Sequence, residues 1–439
     1  MAFTKSLAEM EQSVPDSDAR KRLAAFFDED SFKELDKFLS ADGEISSVVA
    51  GAGSVDALTV YAFAQDVSVK GGAVNKAAAL KIKRVYELAA KNGSPVVGFF
   101  DSKGGDINEG MAVLSAYGDI MKASAKVSGV VPQIAVVTGV CAGCAAMIAA
   151  MADIVIASET AELFLTAPFN NDDGKIEGAG SALNAAKAGV CQILAKDNDE
   201  AVAKARALVA VLPENNIGVG YNDSPDNDAA ITGSLKCAEL VAAVAQKGSV
   251  VELGEKFGTA AYTALGAVNG NTMAFVATDK SAKRTSADCA KIARFVQFAD
   301  LFSIPVVTFV NTEGFEGSSA AELSGSVRDC ARLAQVYATA TTLKVNVIVG
   351  KAFGSAYAAF DGADISFAWE NAQIAPMNPE AGKVFMGEEL VTNPFAAASL
   401  GMIDGVIDPA DTRDAISNAL AMCGSKNENF ARKRANYTF

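Results

Sequence analysis

The chain has 439 residues, of which 50% are hydrophobic and 21% charged, with a formal net charge of −14 and no histidine. Its length predicts two or three domains, each able to bury its own core. The acidic balance argues against a nucleic-acid surface, where clustered positive charge supplies most of the affinity, and the missing histidine excludes Ser-His-Asp and Cys-His nucleophile systems and His-based zinc sites.

The N-terminal stretch MAFTKSLAEMEQ has no apolar core of a signal peptide. Seven cysteines, an odd number lying mostly in apolar runs, fit a reduced, cytoplasmic compartment. Residues 15–40 read as amphipathic helix, capped by Ser17 or Asp18 with Leu23, Phe26 and Phe27 on one face. Asp30 or Ser31 then opens a short turn through Phe32, Leu35 and Phe38. Residues 47–69 are β-like, 74–91 helical in pattern, and 95–100 (PVVGFF) a short buried strand. The alternation of strands with helices predicts βαβ crossovers and a largely parallel sheet.

Residues 133–152 (QIAVVTGVCAGCAAMIAAMA) carry no charge and are long enough to span a bilayer. They divide, however, into a β-rich half, a glycine turn and an alanine-rich half, which predicts a buried strand-turn-helix. Residues 213–235 are rich in Asn, Asp, Gly and Pro and form the best linker candidate. The expected domains are residues 1–225 and 226–439.

The two halves repeat each other. KIKRVYELAAKNGSPVVGFFDSKGG from Lys81 aligns with KIARFVQFADLFSIPVVTFVNTEGF from Lys291, at an offset of 210. Further on, Gly139 and Gly143 in VTGVCAGCAAM align with Gly350 and Gly354 in IVGKAFGSAYA, at an offset of 211. Upstream, AFAQD at Ala62 resembles AFVATD at Ala274. One order of elements, kept over this distance, indicates internal duplication.

Each half therefore has two places where an apolar strand runs into a glycine turn and a helix: FFDSKGGDINEG and VVTGVCAGCAAM first, FVNTEGFEGSSAAE and VIVGKAFGSAYA second. A helix start carries unpaired N–H groups and partial positive charge, and glycine admits a ligand oxygen close to the backbone. Two such turns side by side make an oxyanion hole. That is the chemistry a thioester enolate needs, and it requires no histidine. Any one such turn is more readily an ordinary junction of an α/β core; four in duplicated register point to function.

At these residues the chain resembles the biotin-dependent acyl-CoA carboxyltransferases, which include the β subunits of propionyl- and acetyl-CoA carboxylases and the carboxyltransferase subunits of glutaconyl- and methylmalonyl-CoA decarboxylases. The resemblance runs from RLAAFFDEDSFKELDKF through VYAFAQDVSVKGGAVNKAAALKI, SGVVPQIAVVTGVCAGCAAM and ELFLTAP to KIARFVQFADLFSIPVVTFVNTEGFEG, KAFGSAYAA and NPFAAASLGMIDGVIDPADTR. It implies an α/β fold of two tandem crotonase-like (ClpP/crotonase) domains, the first binding acyl-CoA and the second carboxybiotin. It also implies a hexamer, a trimer of dimers, in which the first half of one subunit works with the second half of another. By position, the thioester oxyanion donors are the amides around Gly143 and Cys144, with Gly104, Gly105, Lys103, Gly71 and Gly72 lining the substrate site. The biotin ureido donors are the amides of Ser355 and Ala356, with Gly354, Gly314 and Phe315 opposite.

The chain departs from the family pattern in places. DSKGGDINEG stands for DSGGARIQEG, so Lys103 replaces glycine and Asp106 replaces arginine, a charge reversal in the acyl-CoA loop. Cys144 and Ser355 each replace a glycine. No AMKM-like biotinylation site or GxxxxGK[ST] phosphate loop occurs. Biotin is therefore expected on a carrier subunit, and the partner is a membrane decarboxylase subunit or a biotin carboxylase. Ala358 follows Tyr357 where propionyl- and acetyl-CoA carboxylases often carry aspartate, which leans toward the decarboxylases. A rival of another class is a non-catalytic or redox scaffold using Cys141-x-x-Cys144; no metal site is expected.

Overall fold

Short β-branched and aromatic runs, each followed by a helix with an apolar face, bury both sheet faces only when helices stack on a parallel sheet, and the chain does this twice. A computed structural model describes residues 6–41, 44–174, 176–278 and 283–426. Residues divide into two units, Met1–Gly218 and Val219–Phe439. The boundary falls before residue 225 because Tyr221 bridges Asn271 and the Asn222 N–H donates to Gly270 O at 2.9 Å. Those contacts tie residues 221–222 to the second sheet.

The first unit contains α1 (Asp18–Phe26), β1 (Lys33–Leu35), β2 (Val48–Val55), β3 (Leu58–Gln65), α2 (Lys76–Asn92), β4 (Val96–Ser102), α3 (Ala112–Val127), β5 (Gln133–Ala142), α4 (Cys144–Met151), β6 (Ile154–Ser158), β7 (Glu162–Phe164) and β8 (Ile193–Ala195). Its sheet order is β1-β2-β3-β4-β5-β6-β8, with β7 added to the end of β5. The β1–β2 and β2–β3 pairs are antiparallel and all later pairs parallel.

The second unit contains β9 (Val251–Glu252), β10 (Ala261–Val268), β11 (Asn271–Thr278), α5 (Ser286–Leu301), β12 (Val306–Thr312), α6 (Ser326–Thr339), β13 (Lys344–Phe353), α7 (Gly354–Ala358), β14 (Ile365–Trp369), β15 (Gln373–Ala375) and β16 (Gly405–Ile407). Its order, β9-β10-β11-β12-β13-β14-β16 with β15 on β13, repeats the first in position and direction. Even the irregularity is shared: the register shifts between Phe100 and Ser102 in one sheet and between Val310 and Thr312 in the other.

Sequence and structure differ near the N-terminus. The helix expected over 15–40 is confined to Asp18–Phe26, and Ser17 makes no side-chain cap. Phe27 is already extended, and residues 33–35 pair with 50–52 as an edge strand. A short apolar run fits either period, and the free edge of β2 decides it. The uncharged stretch 133–152 is β5, a turn at Gly143 and an eight-residue helix, and no helix among the described residues is long and apolar enough to cross a membrane.

The repeated helices are fixed by different local chemistry. Asn75 caps α2 by accepting the Ala78 N–H at 2.9 Å. At the matching position Thr285 forms a reciprocal box with Asp288 at the start of α5. Each unit has its own apolar core between sheet and helices, around Phe63, Phe100 and Val137 in the first and Phe275, Phe309 and Val347 in the second.

Candidate active site

Both central strands end in the same backbone device. Beyond β4, the Ser102 Oγ accepts the Gly104 N–H at 3.1 Å; beyond β12, the Thr312 Oγ1 accepts the Gly314 N–H at 3.3 Å. The glycines have φ of 121° and 128°, a region closed to side chains. The Val74 N–H donates to Gly104 O and the Asp106 N–H to Val74 O, both at 2.9 Å. In the second half the Arg284 N–H donates to Gly314 O at 3.0 Å and the Glu316 N–H to Arg284 O at 2.9 Å. This pattern uses the amides on either side of Gly105 and Phe315 and leaves those two out.

The neighbouring strand supplies the second turn. Ser102 pairs with Cys141 and Thr312 with Ala352, so loop and turn leave each sheet side by side. Gly143 (φ 57°) and Gly354 (φ 61°) then reverse the chain into α4 and α7. The Gly143 N–H is spent within the fold, donating to Phe164 O at 2.9 Å. This corrects the expectation that Gly143 is itself a donor: it turns the chain, and helix geometry leaves the amides of Cys144 and its successor Ala145 without intrahelical partners. In the second half α7 opens on Gly354, which leaves Ser355 and Ala356 in the same position. Cys144 is half-buried, Ser355 exposed and Ala356 buried.

Sequence reasoning missed what locks each loop to each turn. A Cβ at Gly139 would overlap the Asp101 carboxylate, and one at Gly350 would lie 2.6 Å from the Asn311 side chain. The Asn311 Oδ1 accepts the Lys351 N–H at 3.0 Å. Asp101 accepts the matching Val140 amide; burial raises its carboxyl above the usual range, and Arg22 at 3.9 Å opposes that. The signal was present, since the offset of 210 sets Asp101 on Asn311.

The remaining predicted substrate residues gather at the first loop. The Lys103 N–H donates to Gly71 O at 3.1 Å, and its aliphatic chain covers Gly71. A Cβ on Gly72 would run into Asp101 O, so residues 70–72 must lie flat on the loop. Asp106 does not project a free negative charge. It is buried, accepts the Asn108 N–H at 3.1 Å and takes the Lys70 ammonium at 3.1 Å, and these hold its carboxyl below the usual range.

Behind the turn, Tyr117 is 5% exposed and its hydroxyl has no hydrogen-bond partner among the described residues. Its ring would touch a Cβ on Gly105 at 3.3 Å, and burial pushes the ionisation of its hydroxyl upward. Cys141 is fully buried, and burial first, then Asp101, push its thiol upward. That is opposite to the lowered thiol of a redox Cys-x-x-Cys pair.

Two units of one crotonase-type topology, each with a glycine loop and a glycine turn where adjacent strands end, define a tandem crotonase-type α/β protein. Residues 17–386 match the family described as the carboxyl transferase domain. The chain is 34% identical to methylmalonyl-CoA decarboxylase subunit alpha of Veillonella parvula, over 95% of this chain and 92% of that one. It is 32% identical to the methylmalonyl-CoA carboxyltransferase 12S subunit of Propionibacterium freudenreichii subsp. shermanii, over 98% and 93%. Among solved structures, transcarboxylase 12S, described as a hexamer assembly with hydrolysed methylmalonyl-coenzyme A bound, superposes with a TM-score of 0.90 at 31% identity, covering 99% of this chain and 94% of that one. The chain belongs to the biotin-dependent acyl-CoA carboxyltransferase family, and it is an enzyme that moves a carboxyl group between an acyl-CoA and biotin.

Proposed function

We propose that the chain is the carboxyltransferase subunit of an acyl-CoA decarboxylase acting on a methylmalonyl- or glutaconyl-type thioester. In this reading residues 1–218 hold the acyl-CoA. The amides of Gly105 and Cys144 converge on the thioester oxygen, and Lys103, Gly104, Gly71 and Gly72 line the acyl group. When a carboxyl group leaves the α-carbon, negative charge moves onto that oxygen, and each preorganised amide is worth about 10²–10³ in rate.

The second half fits biotin for the same reason that the first fits a thioester: both ligands present a carbonyl oxygen that gains charge. The Ser355 and Ala356 amides would hold the ureido oxygen, with Gly354, Gly314 and Phe315 opposite. Biotin, when bound, supplies the nitrogen that accepts the carboxyl group. The observation that carries this reading is the recurrence of one loop-and-turn geometry, at Gly104 with Gly143 and at Gly314 with Gly354.

In this reading biotin arrives on a separate carrier subunit. The complex is a homohexamer, with first and second halves of different subunits cooperating, peripheral to a membrane decarboxylase subunit. Ala358 after Tyr357 favours decarboxylation over the reading as the β subunit of an acetyl- or propionyl-CoA carboxylase paired with a biotin carboxylase. The test is release of CO2 from malonyl-, methylmalonyl- and glutaconyl-CoA by the purified chain with and without free biotin. Biotin-dependent release supports the proposal; no turnover and no CoA-ester binding would leave only a non-catalytic scaffold.

A further inference from the structure

The two loops share a backbone but not a charge balance. Position 103 corresponds to 313 in the repeat, and position 140 to 351. In the second half these carry Glu313 and Lys351, whose side chains meet at 2.5 Å. In the first half they carry Lys103 and Val140, so the partner is missing and the sign is reversed. Lys103 is exposed, and among the described residues no carboxylate reaches its ammonium.

The surrounding charges are already engaged. Asp106 faces Lys70 at 3.1 Å, and Lys70 also lies 3.6 Å from Glu44. Asp101 is placed against Arg22 and the Val140 amide. The Lys103 backbone is fixed by its N–H to Gly71 O at 3.1 Å, and its methylenes run alongside Gly71. Among the described residues, then, a cation without a carboxylate partner lies next to Gly104 in the loop that this reading assigns to the thioester.

We infer that Lys103 is a specificity-determining residue that reads the free carboxylate of a 2-carboxyacyl-CoA, the malonyl type, and so discriminates carboxylated from uncarboxylated thioesters. The inference rests on the first half being the acyl-CoA site. A charge-assisted bond at a partly open position supports on the order of a fivefold difference in affinity. A lysine that met the CoA phosphates would instead favour both thioesters alike.

The experiment measures dissociation constants of methylmalonyl-CoA and propionyl-CoA for the full chain by calorimetry, in the wild type, Lys103→Met and Lys103→Arg. Methionine keeps the aliphatic cover on Gly71 and removes the charge. Lys103→Met is expected to weaken methylmalonyl-CoA by about fivefold or more while propionyl-CoA changes by less than about twofold, with Lys103→Arg restoring part of the difference. Equal weakening of both thioesters, or no change in either, overturns the inference while the acyl-CoA site stands. Failure of the wild type to bind either thioester overturns both together.

Discussion

The loop after β4 and the loop after β12 have the same hydrogen bonds and different side chains. Gly104 and Gly314 share their bonds and their φ, whereas position 105 is glycine in one and phenylalanine in the other. Val113 accounts for part of this, since a Cβ at Gly105 would lie 2.6 Å from it. Among the described residues Lys103 meets no carboxylate where Glu313 meets Lys351, and Asp101 offers an ionisable carboxyl where Asn311 offers a neutral amide. Duplication has kept the backbone donors that charge stabilisation needs and changed the side chains that decide what sits against them.

The largest effect should come from the two glycines that lock turn to loop. Gly139→Ala is expected to cost about 3 kcal/mol of unfolding free energy, since it drives a methyl into a carboxylate that is already partly buried. Gly350→Ala should cost less, about 1–2 kcal/mol, because its neighbour is a neutral amide. Denaturant unfolding of both variants checks this, and equal losses would erase the distinction between the two halves.

The buried lysines of the repeat sharpen the comparison through pH. Lys81 is 1% exposed beside Glu34 at 3.6 Å, while Lys291 donates to Ala261 O at 2.6 Å and, among the described residues, forms no ion pair. Burial pushes the Lys291 ammonium down to about 8 from its ordinary 10.5, with Glu252 partly opposing. A base whose folded pKa lies below its unfolded value destabilises the fold while protonated in both states. The unfolded chain binds the extra proton between about 8 and 10.5, so stability attributable to Lys291 rises across that window. Lys291→Met should remove roughly 2 kcal/mol of that rise in unfolding measured at pH 8 and pH 10.

A smaller pair of opposite sign concerns buried tyrosines. The Tyr337 hydroxyl meets Thr308 Oγ1 at 2.8 Å, and Tyr337→Phe should cost about 1 kcal/mol. The Tyr117 hydroxyl has no partner among the described residues, so Tyr117→Phe should raise stability by about 1 kcal/mol. Thermal unfolding reads both, and a loss in Tyr117→Phe would mean that its hydroxyl is satisfied in solution.

The repeat made the fold legible. Pro95-Val96-Val97 over Pro305-Val306-Val307 placed β4 and β12, and the uncharged run 133–152 resolved into strand, turn and helix through its glycine and alanine content. The edge strand at 33–35 was not legible, because three residues hold no period and only the partner strand decides their state. Within the site the glycines announced the turns, but which amides remain available did not follow from residue type. Gly143 loses its N–H to Phe164 O, a contact set by how β7 extends β5. Likewise the negative charge gained at Asp106 was visible in the sequence, whereas its neutralisation by Lys70 depends on Lys70, Gly71 and Gly72 turning left-handed together.

The most direct test is to delete the Cys144 amide without altering the turn. Cys144 is the first helical residue of α4, a position where proline is tolerated because its N–H has no helical partner. Cys144→Pro should melt within a few degrees of the wild type and still bind methylmalonyl-CoA, while biotin-dependent decarboxylation falls about 10²–10³-fold. A folded Cys144→Pro variant that retains wild-type turnover would contradict the account.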